Sequence, residues 1–334
     1  MSPHLHIEKA GPGLSVQDLG RPGHLATGLS CGGAADRLAL FEAAALLGAK
    51  QVLAGIEMAG MGGQFGVTAA TRFALTGAPM AAQLDGTPIA WHASHVIWPG
   101  QVLTIGGAKT GIYGYLTPAG GMATQLLLGS RASHLAVGIG SALKAGDRLP
   151  IGADPNQDAA ASKITVADRF CGGSVRLMPG PQTALFSDDT LEAFFATTFT
   201  RSPIGNRQGA RFECDRQFSA TTTSLASELI LPGDIQLTGD GVPYVLLAEC
   251  QTTGGYPRIG SVIGADLAKI AQTPPGATLR FERLTLPGAD QLYRPEAGLI
   301  ATLARTVSPL VRDPHDIADL LSYQLISGAI AEGD

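Results

Sequence analysis

Cysteine is scarce in this 334-residue chain, and Cys31, Cys171, Cys214 and Cys250 lie far apart. Neither a CxxC metal pair nor a dense disulfide framework is encoded, so reduced thiols in a cytoplasmic protein are expected. A basic excess is missing as well. The net charge is −5 and lysine and arginine are scattered along the chain, which removes the electrostatic footprint of a nucleic-acid or anionic-membrane partner. The opening MSPHLHIEKAGPG shows no charged segment followed by an apolar one, so no secretory signal is expected. Uncharged stretches such as Thr110–Ser130 are broken by glycine and threonine and read as strands and turns rather than a membrane span. There is no G-x-x-x-x-G-K-[ST] loop, so ATP chemistry needs another loop or another subunit.

Glycine and proline are plentiful, at 44 and 21 residues, and they punctuate short apolar segments every eight to twelve residues or so, the pattern of an all-β sandwich or barrel. Strands are expected around Arg72–Leu75, Val102–Ile105 and Ile112–Leu116. Helices are few: Ala35–Leu47, Asp188–Phe195, Ala265–Gln272 and a late stripe of Ile317, Leu320 and Leu321 within Pro314–Ser327. The length favours two domains, and an internal rhyme locates them. WPGQVLTIG (98–106) and LPGDIQLTG (231–239) each lead through a second apolar strand to a glycine pair, TPAGGM (117–122) and QTTGGY (251–256). Each copy then shows a Gly-Ser step and a turn into a strand, AGDRLPIG (145–152) and PGATLRFE (275–282). Matches in the same order point to tandem duplication. ADPNQDAAASK (153–163), small, polar and without periodicity, reads as the linker. The division is therefore 1–152, 164–285 and a C-terminal extension over 286–334.

Several motifs invite chemistry. GLSCG (28–32) fits the G-x-S-x-G nucleophile elbow, but RPGHLATG before it is not a buried strand and the chain lacks βα alternation, so a catalytic serine is not expected. GMGGQFG (60–66) precedes a strand-like run rather than a helix and fails as a dinucleotide loop. The pairs His4/His6 and His92/His95 lack the third and fourth converging groups a metal normally requires, so no metal site is expected. VQDLGRPG (16–23) gathers Gln17, Asp18 and Arg21, either as a turn held by an Asp–Arg pair or as a cleft lining. QTTGGYPR (251–258) adds an amide, a second hydroxyl, a phenol and a guanidinium to what the first copy carries. Its glycines allow close backbone approach or a nest of N–H groups, so it reads as a binding loop.

VQDLGRPG (16–23), CGGAADRLA (31–39), LTGAPMAAQLDGTPI (75–89), GSR (129–131) and above all LLAECQTTGGYPRIGSVIGADLAKIAQTPPGATLRF (246–281) resemble the biotin-dependent carboxyltransferase family. That family includes allophanate hydrolase subunit 2, the carboxyltransferase segment of urea carboxylase, and the C-type subunit of bacterial 5-oxoprolinase, also called the KipI antagonist. The resemblance covers about residues 5–285. It implies a mainly β fold of tandem cyclophilin-like β-barrels, and a KipI-like B subunit as partner. In the 5-oxoprolinase branch an A-type subunit joins them to open 5-oxoproline to glutamate with ATP hydrolysis. In the urea branch the equivalent segment moves a carboxyl group from carboxybiotin to urea, so biotin enters only there. A third alternative is a non-catalytic antagonist that binds a KipI-like kinase inhibitor.

Both chemistries act on an amide-like group and need donors for a developing oxyanion and an acceptor for an N–H. On the resemblance, Asp18 and Arg207 are the candidate catalytic residues. Arg21, Arg131, Asn206, Gln251, Thr252, Thr253, Gly254, Gly255 and Tyr256 are candidates for binding a small amide or lactam. PIGNRQGARFE (203–213) keeps the family's Asn-Arg pair, its glycine and Arg211, while Gln208 replaces Met and Ala210 an aromatic residue. No biotin-carboxylase or biotinyl-lysine segment lies in the sequence read. The expectation is therefore the C-type subunit of a 5-oxoprolinase-like complex.

Overall fold

The computed structural model describes residues 3–221 and 225–311. Its first half encloses an apolar core between two sheets. One runs in the order Arg148–Pro150, His4–Ala10, Gly63–Val67, Leu103–Ala108, Met80–Leu84, Thr87–Pro88. The other runs Ser15–Gln17, Gly55–Ala59, Tyr113–Pro118, Thr71–Gly77, Ala93–Ile97, Ser162–Ile164, Val307–Pro309. Side chains alternate across a strand, so Leu5 and Ile7 enter the core with Ile56, Phe65, Phe73 and Leu116, while His4 and His6 stay partly exposed. Thr71–Gly77 and Tyr113–Pro118 are buried at every position. Such two-sided burial needs a second cover, and helix α1 (Arg37–Leu47) supplies part of it, packing Ala43, Leu46 and Leu47 with Ala74 of the inner strand.

The second half is a closed barrel, ordered Gly173–Met178, Arg258–Val262, Asp234–Leu237, Pro243–Leu246, Gly209–Glu213, Phe199–Gly205, Thr278–Arg283. Closure comes from parallel pairing of its first and last strands, with Gly173 opposite Leu279 and Leu177 opposite Arg283. Phenylalanine fills it. Phe194 of α2 (Asp188–Ala196) lies 4.9 Å from Phe199 and 5.2 Å from both Phe218 and Phe281, ring centre to ring centre, within the range of favourable aromatic pairing. Ser187 caps α2 by accepting from the Thr190 amide, and Asp188 and Asp189 suit its positive end. Helix α3 (Gly264–Gln272) follows the Arg258–Val262 strand.

The mainly β class is what the chain adopts, and the three helices expected within the described residues form within two residues of their expected bounds. The late stripe in 314–327 lies outside the described residues. The rhyme between the copies does not extend to strand pairing. Asp234–Leu237 and Pro243–Leu246 pair as a hairpin, whereas Leu103–Ala108 and Tyr113–Pro118 go to opposite sheets. Nor is 153–163 a free linker. Asp154 accepts from Arg72 Nε at 2.8 Å, and Ser162–Ile164 joins a sheet. The chain beyond 285 turns back on the first half: short helices over Leu286–Leu292 and Leu299–Ala304 precede Val307–Pro309, which pairs with Ser162–Ile164.

The halves share one apolar cluster, in which Ala39, Leu40, Tyr113 and Tyr115 join the barrel's phenylalanines. Polar bolts cross it. Arg169 donates to both Glu42 oxygens at 2.8 and 2.9 Å and to Asp36 at 2.7 Å. Gln272, fully buried, donates to Asp36 and to the Tyr113 carbonyl and accepts from the Ile112 and Tyr113 amides. Every polar atom of that amide is used, as burial demands. Both bolts hold the cap of α1, whose Asp36 also accepts from the Ala39 amide.

Candidate active site between the two halves

Arg207 sits in the turn between Phe199–Gly205 and Gly209–Glu213. Asn206 shapes that turn, its carboxamide oxygen accepting from the Gln208 amide at 2.7 Å, so this expected binding residue holds the turn that carries the arginine. The Arg207 guanidinium crosses into the first half. Its Nε donates to Glu249 Oε1 at 2.7 Å, one terminal nitrogen bonds Glu57 Oε1 and the other the Gly33 carbonyl. Burial alone disfavours the charge, but Glu57 and Glu249 outweigh it and hold the group cationic. Of the five N–H donors of arginine, these bonds engage three, which leaves one on each terminal nitrogen. Glu57 Oε2 also accepts from the Tyr115 hydroxyl at 2.7 Å and the Ala35 amide at 2.8 Å. Burial, reinforced by Glu57, raises the Tyr115 phenol well above its ordinary range, so it stays a donor.

Beside this cluster lies a second one. Ser30 Oγ and His134 Nε2 are 2.8 Å apart, and His134 Nδ1 faces Glu249 Oε2 at 3.9 Å. All three residues are at least 95% buried. Desolvation lowers the His134 pKa, with Glu249 opposing and Arg21 and Arg207 assisting, so the ring is held neutral. Gly32, at φ +63°, permits the approach: a Cβ there would lie 3.0 Å from His134 Cδ2. The GLSCG serine, not expected to be catalytic, is thus placed against a histidine, although its segment is a loop and not a strand-to-helix elbow.

Asp18 accepts three hydrogen bonds through its side chain. Its carboxylate accepts from the Gly20 amide at 2.8 Å, Ser130 Oγ at 2.6 Å and the Arg131 amide at 2.7 Å, which clamps VQDLGRPG to the GSR segment. The alternative of an Asp18–Arg21 pair is not realised; Arg21, 1% exposed, donates to the Ala132 and Leu127 carbonyls. Its remaining nitrogen, Nη1, is buried and has no hydrogen-bond partner. Arg21 and Arg131 line a cavity of about 240 Å³ with Val16, Thr124, Ser130 and Ile139.

The QTTGGYPR loop leaves the site on the residue after Cys250. Thr253–Gly254 pairs with Glu228–Leu229 in a small ladder, Gln251 and Thr253 are exposed, Thr252 is half-buried, and Tyr256 is 50% exposed. Gly254 is approached closely by the Gln236 side chain, whose Nε2 would lie 2.5 Å from a Cβ there. Neither Gly254 nor Gly255 has positive φ, unlike Gly120 and Gly121 in the first copy, so left-handed backbone occurs in the plain copy rather than the elaborated one. What the loop does bring to the site is its leading segment: Ala248 accepts from the Gly32 amide at 3.1 Å, and Glu249 follows. His92 and His95 do not converge; they bond the separate carbonyls of Gly77 and Ala90.

Glu57, Tyr115, His134 and Glu249 were missed by sequence reasoning, and Ser30 was noticed in GLSCG but set aside. Glu57 in GIEMA and Glu249 in VLLAEC nevertheless carry a signal, because an acid inside an apolar run must find a partner when buried.

A two-part β protein with an arginine–carboxylate cluster between its halves is the class that this fold and site define. The chain belongs to the family described as carboxyltransferase domain, subdomain A and B, which matches residues 27–283. It is 36% identical over 292 residues to the C-type subunit of Escherichia coli 5-oxoprolinase, spanning 85% of this chain and 93% of that protein. The corresponding 5-oxoprolinase component of Haemophilus influenzae is 32% identical, over 84% and 91% of the two chains. Among solved structures, TTHA0988 superposes with a TM-score of 0.77 at 27% identity over 84% of this chain, which spans 56% of that polypeptide. Kluyveromyces lactis urea carboxylase shares the fold, with a TM-score of 0.79 at 22% identity over 94% of this chain and 31% of that one.

Proposed function

We propose that this chain is the C-type subunit of an ATP-dependent, 5-oxoprolinase-like hydrolase, acting in the cytoplasm with a KipI-like B subunit and an A-type subunit to open 5-oxoproline to glutamate. The near-complete span of two relatives that bear the name of the 5-oxoprolinase C-type component supports the identity of the subunit. One observation carries the chemistry: a buried, charged Arg207 that joins Glu57 and Glu249 across the halves and keeps two N–H donors free. A lactam carbonyl gains negative charge on oxygen as its carbon is attacked, and a pre-oriented cation in a water-poor site stabilises that charge without reorganising. Glu57, Glu249 and the Tyr115 hydroxyl set the arginine in place. Arg21, Arg131 and the side chains of Gln251, Thr252, Thr253 and Tyr256 are assigned to substrate binding around it. ATP belongs to the complex, and its phosphate loop to another subunit or another kind of loop.

Co-expression with the B-type and A-type partners, followed by assay of glutamate release from 5-oxoproline with and without ATP, tests this reading. ATP-dependent release is expected. A well-formed complex that releases no glutamate removes the proposal; turnover of urea with a carboxybiotin donor instead would establish the urea reading, and partner binding without any turnover the antagonist one.

A further inference from the structure

We infer that Ser30, His134 and Glu249 form a nucleophile, base and carboxylate relay, so that this chain itself carries an acyl-transfer centre for amide, lactam or ester carbonyls. The contact that starts the relay is already at hydrogen-bonding distance, 2.8 Å between Ser30 Oγ and His134 Nε2. The carboxylate that completes it is held independently. Arg207 Nε fixes Glu249 Oε1 at 2.7 Å, and the Ala136 amide approaches Oε2 at 3.4 Å, leaving Oε2 facing His134 Nδ1 at 3.9 Å. A carboxylate there favours the tautomer with its proton on Nδ1, which frees the Nε2 lone pair to take the Ser30 proton.

A buried Ser–His hydrogen bond is often no more than packing. Two further atoms argue against that here. His134 Nδ1 and Arg21 Nη1 are both buried without a hydrogen-bond partner, and both groups flank Gly32, where a Cβ would lie 3.0 Å from the His134 ring and 3.7 Å from Arg21 Nη1. Leaving one buried donor unsatisfied costs about 1–3 kcal/mol, so two beside one glycine are a cost that packing alone does not explain. The proposed uses differ: Nδ1 closes on Glu249 when the ring takes its proton, and Nη1 donates to the oxygen that becomes negative. Sequence spacing hid this arrangement, because Ser30 and His134 are 104 residues apart.

The step balances with water as the only co-reactant. Ser30 Oγ attacks the carbonyl carbon as its proton passes to His134 Nε2, and an Oγ–C bond forms. The C–N or C–O bond then breaks, and His134 returns the proton to the leaving nitrogen or oxygen. Water, deprotonated by His134, attacks the acyl-serine and releases the acid with Ser30 restored. The relay needs neither ATP nor a particular carbonyl substrate, so it stands or falls separately from the 5-oxoproline reading.

The test uses the full chain, alone and in its co-expressed complex, with a fluorophosphonate as label and p-nitrophenyl acetate as substrate. The label is expected on the peptide that carries Ser30. Labelling and ester turnover are expected to fall at least about a hundredfold in Ser30→Ala and in His134→Gln, the loss typical of a removed general base or its nucleophile. Cys31→Ser, which alters the neighbouring thiol, should leave both intact. Ser30→Ala removes a single oxygen, so it decides the matter should His134→Gln not fold. Absence of label on Ser30 in both preparations, or ester turnover unchanged in a folded Ser30→Ala protein, overturns the inference, whatever the complex does with 5-oxoproline and ATP.

Discussion

Acids inside apolar runs are the residue-scale mark of this molecule. Glu42 in the buried helix α1, Glu57 in GIEMA and Glu249 in VLLAEC are each at most 4% exposed, and each meets an arginine. Those pairings were legible as a demand, since an unpaired buried carboxylate is prohibitively costly, but not as an address, since Arg207 is 150 residues from Glu57. At this scale the His134 shift makes a pH prediction. A lowered pKa means that the neutral, proton-accepting ring persists below pH 6.5 and that the reactive form is lost only as pH falls through the shifted value. The charged and polar neighbours that set it are Glu249, Arg21, Arg207 and Ser30. The acidic limb of the labelling rate should therefore lie below 6.5. Because Glu249 opposes the shift, Glu249→Gln should move that limb further down; a limb above 6.5 would contradict the burial argument.

At the scale of elements, punctuation was readable and pairing was not. Asp36 before α1, Gly48 after it and Ser187 before α2 all act as caps, and each stands in the sequence as a stop or start signal. Strand partners are set by contacts between distant segments, so two similar PG-to-GG stretches fold into a hairpin in one half and into opposing sheets in the other. The QTTGGYPR loop was identified by its polarity, and Thr253 and Tyr256 are exposed. Its assignment to substrate binding predicts that Tyr256→Ala and Thr253→Val raise KM for the complex severalfold while thermal stability stays within about 0.5 kcal/mol, as for other surface changes. Unchanged KM in both variants would return the loop to a purely structural role. Asp154 offers a stability counterpart. Its partial burial is outweighed by hydrogen bonds from Arg72 and the Asn156 amide, which depress its pKa below 3.8, so its contribution is present above 3.8 and lost as pH falls through the depressed value. Asp154→Asn should flatten that part of the acid unfolding curve.

For the whole molecule, the two halves are bound by a shared apolar cluster and by buried polar bolts, which fixes the facing walls of the site. Removing one partner of a buried ion pair typically costs about 3–5 kcal/mol, whereas an exposed pair contributes about 0–1. Arg169→Met should accordingly lower unfolding stability by about 3–5 kcal/mol, while Arg37→Ala, which loses an exposed pair with Glu296 and a bond to the Leu19 carbonyl, should change it by less than about 2; equal effects in denaturant titrations would deny the bolt its role. The mainly β character and the family were legible along the chain because they reside in local turns and contiguous motifs. The site was only partly legible, because it exists where Gly33, Glu57, Arg207 and Glu249 meet across the halves. The most direct test of that meeting point as the reaction centre is the rate of ATP-dependent glutamate release by the assembled complex carrying Arg207→Ala. The account predicts a fall in kcat of at least about a hundredfold, the scale of a lost oxyanion donor, with the subunits still co-purifying. An intact Arg207→Ala complex working at the unsubstituted rate would contradict it.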